Sequence, residues 1–234
     1  KISDYELSSS ILGSIDGNPL NGSFNKVFIE DVAATLNLTG GINISNFVSH
    51  FSREITFSGD GIVAFNVNII FPPSQNAIIR FHGDLTNTYL ECQSLGFKKE
   101  KYQFGMLNFG LTDDQPTNFK FSSGNYELNG FIPYNDGENI ELKFTKVKLD
   151  DYFQGNVLYK FSKLENFLLI DGKTYDHSRA PKYEFVQSDK DLQIEVNISE
   201  LKIRSDLTLT DFSGKTIFDY SKIIPQPLNK SSGY

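Results

Sequence analysis

The densest cluster of side chains able to do chemistry lies in the segment DGKTYDHSRAPKYEF, residues 171–185. If His177 acted as a general acid or base beside Asp176, a neighbouring cation could hold an anionic substrate. The candidate catalytic residues are His177, Asp176 and Arg179, and the candidate ligand contacts are Tyr175, Lys182 and Tyr183. Adjacent residues of an extended chain point to opposite sides, so the sequence alone does not orient Asp176 against His177. We therefore favour a hydrated loop between two strands, with LIDGK as its first turn.

Metal sites are weakly indicated. The three histidines, His50, His82 and His177, lack the close spacing that makes a metal site readable from sequence. The acidic pairs Asp113–Asp114 and Asp150–Asp151, with the loop NDGEN, offer oxygen ligands that Ca²⁺ accepts, but none follows the spacing of a known calcium loop. We expect the protein to bind no cofactor, and a bound calcium ion is the alternative.

Common catalytic motifs do not occur in the sequence. It contains no glycine-rich phosphate loop, no G-x-S-x-G, no H-E-x-x-H and no C-x-x-C. Their absence counts against several enzyme classes and favours a protein without chemistry of its own. Glycosidic chemistry stays open, because it needs only two suitably placed carboxylates.

Alternation of apolar and polar residues with period two is the dominant pattern of the chain, and it predicts strands with one buried face. DLQIEVNIS is predicted to be a half-buried antiparallel strand, and GIVAFNVNIIF a strand near the centre of a sheet. In NIELKFTKVKLDDYF the apolar face changes register, which predicts a β-bulge near Thr145 and Lys146. DVAATLNL is the best candidate for a helical turn, and little other helix is expected.

Glycine beside Asp, Asn or Ser marks candidate tight turns between these strands. The predicted turns are SGDG (58–61), SSGN (122–125), YNDGEN (134–139), LIDGK (169–173) and FSGK (212–215). The sequence thus predicts an all-β domain over residues 1–234: a large antiparallel β-sandwich, jelly-roll-like, or a barrel with short hairpins. Residues 1–20 and 225–234 are expected to wrap the domain or extend from it, and residues 95–103 are the candidate seam.

Composition limits the partners. The formal net charge of −7 opposes binding to nucleic acid, and no run approaches the roughly 20 apolar residues of a membrane-spanning helix. Cys92 has no second cysteine to pair with and is expected to be a small buried side chain. N-glycosylation sequons begin at Asn21, Asn37, Asn43, Asn197 and Asn229. The sequons suggest secretion or the cell surface, and the start on Lys1 fits a processed or a trimmed chain equally well.

Three functions fit this sequence. The first is a secreted or surface β-sandwich that acts by binding other protein chains or glycans, or by assembling into a homo-oligomer. The second is a lipocalin-like barrel that carries or transforms an apolar molecule among inward-facing Phe and Ile side chains. The third is a carbohydrate-binding or carbohydrate-active protein, with Tyr126, Tyr134, Tyr152 and Tyr159 as candidate sugar-facing side chains. We favour the first because the chain ends are suited to pair with a neighbouring sheet edge.

Overall fold

A computed structural model of the chain describes residues 5–49, 57–92, 97–112, 115–132, 140–161, 166–181 and 191–218. The predicted all-β fold with little helix is confirmed. The strands are β1 (Glu6–Ile15), β2 (Asn18–Val27), β3 (Ala34–Asn43), β4 (Phe57–Phe71), β5 (Ile78–Asp84), β6 (Thr88–Cys92), β7 (Phe97–Lys99), β8 (Met106–Thr112), β9 (Gln115–Ser123), β10 (Tyr126–Ile132), β11 (Ile140–Leu149), β12 (Phe153–Phe161), β13 (Asn166–Asp176), β14 (Leu192–Arg204) and β15 (Leu207–Phe218). One short helix, α1 (Ile44–Ser49), follows β3.

The strands form an open sheet in nearly sequential order. The path runs β1-β2-β3-β4-β5-β8-β9-β10-β11-β12-β13-β14-β15, and it leaves β1 and β15 at its two ends. All neighbours on the path are antiparallel except β13 and β14, which are parallel. The strand predicted from DLQIEVNIS is β14, so the antiparallel prediction is correct for its pairing with β15 and wrong for its pairing with β13.

Cross-strand register gives the sheet one apolar and one polar face. An apolar row crosses all the strands of the path: Ile11, Gly22, Leu38, Val67, Phe81, Phe109, Phe119, Gly130, Phe144, Val157, Ile170, Val196 and Gly214. The rings of Phe81 and Phe109 stack in this row with centroids 4.5 Å apart. The adjacent row, on the opposite face, includes Asn21, Thr39, Asn66, His82, Asn108, Lys120, Asn129 and Lys146. The period-two pattern of the sequence therefore sorts side chains between two faces along nearly the whole molecule.

A second, smaller sheet covers one end of the apolar face. β4 bends at Gly61, whose φ is 102°, so that Phe57–Gly61 pair with β6 while the rest of β4 stays between β3 and β5. β7 then adds to β6. The first core lies beneath this layer and contains Ile44, Val63, Leu85, Leu90, Cys92, Phe97 and Leu107. Cys92 is fully buried there, as expected.

A second core lies where β10 to β14 curve around a close glycine contact. Gly155 and Gly172 face each other across β12 and β13, and a methyl group on Gly155 would lie 2.6 Å from the Gly172 Cα. Phe153, buried, lies over both glycines, next to Ile198. The predicted β-bulge is confirmed, because the register of β11 against β12 shifts between Phe144 and Val147.

The glycine-based turn predictions were right in one place and wrong in three. SSGN forms the β9–β10 hairpin, with Gly124 at φ 54°. SGDG, LIDGK and FSGK instead lie inside β4, β13 and β15. At Gly172 the glycine serves close strand packing, not a reversal of the chain. YNDGEN lies outside the described residues.

Two further expectations concerned helix and termini. The DVAATLNL segment leads into β3 and is not helical; the helical residues are Ile44–Ser49. In the first twenty residues, where we expected a wrapping or extended terminus, the structure places β1 and the start of β2. Across the candidate seam at 95–103 the main sheet continues by the pairing of β5 with β8. Residues 225–234 lie outside the described residues.

Candidate functional site

The opening segment begins as a strand. Residues 171–176 are the end of β13, and the Asp176 amide donates a hydrogen bond to the Tyr152 carbonyl at 2.7 Å. Tyr175 packs its ring edgewise on Phe153, with centroids 6.5 Å apart, at the second core. Residues 171–176, predicted as the start of a hydrated loop, are therefore strand, and because β14 runs parallel to β13 these two strands do not form a hairpin.

The Asp176 carboxylate is engaged in closing the turn that follows β13. It accepts hydrogen bonds from the Ser178 amide at 3.0 Å and the Ser178 hydroxyl at 2.5 Å, and it forms an ion pair with Lys202 at 3.1 Å. The Ser178 hydrogen bond, followed by Lys202, lowers the pKa of Asp176. These contacts stabilise the ionised carboxylate as an acceptor and fix the turn to β14.

His177 does not share this carboxylate. Its backbone amide donates to the Lys202 carbonyl at 2.8 Å, and its exposed ring lies 6.2 Å from the ring of Tyr175. Arg179 is exposed and lies 3.5 Å from a carboxylate oxygen of Asp151. The side-chain contacts of Asp176 are thus with Ser178 and Lys202, and Lys182 and Tyr183 lie outside the described residues.

The other chemical candidates are dispersed. His82 lies on β5, where its Nδ1 is 2.5 Å from the Asn108 side-chain oxygen, while His50 lies outside the described residues. Of the acidic pairs, Asp150 accepts from the Asn125 amide at 3.0 Å, and Asp113 and Asp114 are outside the described part. Within the described ranges, no group of three or more His, Cys, Asp or Glu is placed to hold a metal ion.

The candidate sugar-facing tyrosines and the sequons are distributed over the sheet. Tyr126 packs edgewise on Phe97 at 4.8 Å and Tyr152 is buried, so both contribute to the cores. Tyr159 lies half-buried on β12, and Tyr134 is outside the described ranges. Among the sequon asparagines, Asn21 and Asn37 are exposed, Asn43 and Asn197 are half-buried, and Asn229 is not described. Asn68 donates to the Asn37 side chain at 2.7 Å.

The sequence analysis missed a buried ammonium group. Lys99, at the end of β7, is fully buried, and its Nζ donates to the carbonyls of Thr88 at 2.8 Å and Glu100 at 3.2 Å. Burial lowers its pKa, and nearby Asp84 opposes that effect. Gly105 gives the lysine stem its path, because a methyl group there would lie 2.5 Å from the Lys99 Cε. Lys99 therefore organises the loops beside the first core. Its burial could not be predicted from the sequence, because it lies among other charged residues in the run KKEK.

The second missed feature is β1, which forms one free end of the sheet. Asp16 and Gly17 join β1 to β2 with φ of 51° and 77°, the positive values of a two-residue type I′ hairpin turn. The ten cross-strand pairs from Glu6 with Val27 to Ile15 with Asn18 run without a register shift. The Asp-Gly dipeptide after SSSILGSI was the signal that would have identified this hairpin.

β1 lacks the devices that usually protect an edge strand. From Leu7 to Ile15 it has no charged residue, no proline and no bulge, whereas charges, proline and bulges are the common means of blocking edge pairing. Leu12 is 82% exposed on this strand. At the opposite end of the sheet, β15 carries Asp211 with φ 50° and also Lys215, which interrupt and charge that edge. Within the described residues no strand pairs with the outer side of β1.

Comparison of the chain with protein-family models, with curated proteins and with solved structures finds no match. No helix in the described part of the chain combines the length and apolar character needed to cross a membrane.

Proposed function

We propose that this protein has no catalytic role and acts by binding or assembling with other chains, through addition of a strand to its open sheet edge at β1. The observation that carries the proposal is the uninterrupted outer edge of β1, which is uncharged from Leu7 to Ile15. An edge of this kind offers a row of backbone N–H and C=O groups to an extended partner segment, which is the basis of β-augmentation. Secretion or a surface location, as expected from the sequons, fits such a role.

The hairpin turn identifies which backbone groups are available. The residues that flank a two-residue turn exchange their hydrogen bonds, so Ile15, Gly13 and Ile11 direct N–H and C=O towards β2. The alternate residues Ser14, Leu12 and Ser10 direct theirs outward. The Ser9 hydroxyl donates to the Ser10 carbonyl only at 3.4 Å, a long contact that a partner amide would replace.

The two alternatives have less support. A lipocalin-like carrier needs a closed barrel around its ligand, whereas the described strands form an open path that ends at β1 and β15. A sugar site needs an exposed aromatic platform, and Tyr126 and Tyr152 pack into the cores instead.

The test is site-specific photo-cross-linking in extracts of the source cells. A photoreactive amino acid at Leu12, on the edge, should capture a defined partner chain, including a second copy of this protein. The matched control is Asn21, which pairs with Leu12, lies on the same face and is exposed, but sits one strand inside the sheet. Capture by the probe at Leu12 must also disappear in a Ser10→Pro background, because proline at an outward position removes a donor that β2 does not use. Equal yields at Leu12 and Asn21, or no capture at either, would reject strand addition at this edge.

A further inference from the structure

We infer that the partner at β1 is a second copy of this chain, paired antiparallel through β1 with a two-fold axis at Ile11. This inference rests on the proposed function and specifies its partner and register. In the resulting dimer one sheet continues across both copies. The interface is isologous, so the same residues contribute from each side.

Hydrogen-bond direction restricts the register. Since Ser10, Leu12 and Ser14 direct their backbone groups outward, a hydrogen-bonded pairing must place an even-numbered residue of β1 opposite an even-numbered residue of the second copy. A two-fold antiparallel pairing near the middle of the strand can then be centred only at Ser10, Ile11 or Leu12.

The apolar face selects the centre at Ile11. This register places Ile11 opposite Ile11 of the second copy and Leu7 opposite its Ile15, so apolar side chains meet on one face. The Ile11 pair would be a non-hydrogen-bonded pair, in which side chains approach most closely. Centring at Ser10 would put Ile11 opposite Ser9, and centring at Leu12 would put it opposite Gly13. Only the Ile11 register continues the apolar row Ile11, Leu38, Val67 and Phe81 directly into the second copy.

Charge allows β1 to pair with itself. The overlap from Leu7 to Ile15 contains no charged residue on either copy, and Glu6 lies opposite Asp16 of the second copy just beyond each end of it. A charged residue at the centre of an edge strand would instead lie opposite the same charge on the second copy. The other free edge is less suited to a regular ladder, because Asp211 in β15 departs from extended backbone geometry.

Disulfide trapping in purified full-length protein tests the register. Ile11→Cys should form an intermolecular disulfide, because the Cα atoms of a non-hydrogen-bonded pair lie about 4.5 Å apart, within the range that disulfides span. Ser9→Cys and Gly13→Cys are matched controls, since identical residues at these positions would be four residues out of register, about 13 Å apart. Wild-type protein controls for the native Cys92, which is buried.

We expect Ile11→Cys to be converted almost completely to a covalent dimer within a time in which Ser9→Cys and Gly13→Cys remain monomeric. A faster cross-link at Ser10→Cys or Leu12→Cys would overturn the Ile11 register, and equal cross-linking at Ser9→Cys and Gly13→Cys would show random collision. If no cysteine variant cross-links while the Leu12 photoprobe captures a different protein, self-pairing is rejected and edge binding stands. If neither experiment gives a product, both proposals fail. Sedimentation of the wild-type protein is an independent test and should show a dimer. Leu12→Lys should dissociate this dimer, and Asn21→Lys should leave it intact.

Discussion

At the scale of single residues, the least expected group is the buried ammonium of Lys99. Hydrogen bonds to a charged donor each contribute about 1.5–3 kcal/mol, while desolvation of the charge offsets part of that. We therefore expect Lys99→Met, which keeps the packed stem but leaves the buried Thr88 carbonyl without its donor, to lower the free energy of unfolding by about 1–2 kcal/mol at pH 7. Urea unfolding measures this change. Lys98→Met is the control, because the Lys98 ammonium is exposed and its ion pair with Glu100 is a surface one, which contributes about 1 kcal/mol at most.

The pH dependence gives Lys99 a second signature. Its pKa is lowered in the folded protein from the ordinary value of 10.5, so the unfolded chain binds more protons between the two pKa values. Stability should therefore rise with pH as the folded-state pKa is passed, and the rise should be missing in Lys99→Met. The difference in unfolding free energy between wild type and variant, measured from pH 7 to 9.5, isolates this group. If the unfolding free energy of wild type fell relative to that of Lys99→Met as pH rises, the carbonyl partners would stabilise the ammonium more than burial destabilises it.

Close packing of Gly155 on Gly172 makes a separate residue-scale prediction. A methyl group on Gly155 would lie 2.5 Å from the Asp171 carbonyl oxygen, which backbone hydrogen bonding holds in place. Gly155→Ala should therefore destabilise the fold by about 1–3 kcal/mol, the usual cost of overpacking. Gly110→Ala is the matched control, because the nearest atom to its added methyl is the Ile79 carbonyl oxygen at 3.7 Å. Thermal and urea unfolding of the two variants distinguish local crowding from a general intolerance of alanine in strands, which would affect both equally.

At the scale of elements, period-two alternation identified the central strands and the bulge near Thr145, because both depend on which residues share a face. Glycine was a poor guide to turns, since a glycine inside a strand and one in a hairpin have the same neighbours in sequence. At Gly172 the deciding contact comes from Gly155 and Ile198, which are distant along the chain.

The parallel pairing of β13 with β14 was unpredictable for the same reason. Alternation in DLQIEVNIS specifies a half-buried strand but not the direction of its partner. The chemistry of the segment that follows β13 also depended on distant residues: Asp176 binds Lys202, which lies on β14. β1 was missed because Ser9 and Gly13 interrupt its apolar row, although Leu7, Ile11 and Ile15 share one face.

At the scale of the whole molecule, the net charge predicts that salt strengthens the proposed dimer, and the direction of this effect tests its interface. Each copy carries −7, so two copies repel, while the paired β1 segments from Leu7 to Ile15 contain no charge that salt could weaken. The Debye length falls from about 30 Å at 0.01 M to about 10 Å at 0.1 M salt, which screens repulsion between copies. We expect the dimer to tighten over this range by on the order of 1 kcal/mol, about fivefold in Kd, as measured by sedimentation equilibrium. Leu12→Lys should stay monomeric throughout. A dimer that loosened with salt would be held by ion pairs elsewhere on the surface, and β1 would not be its interface.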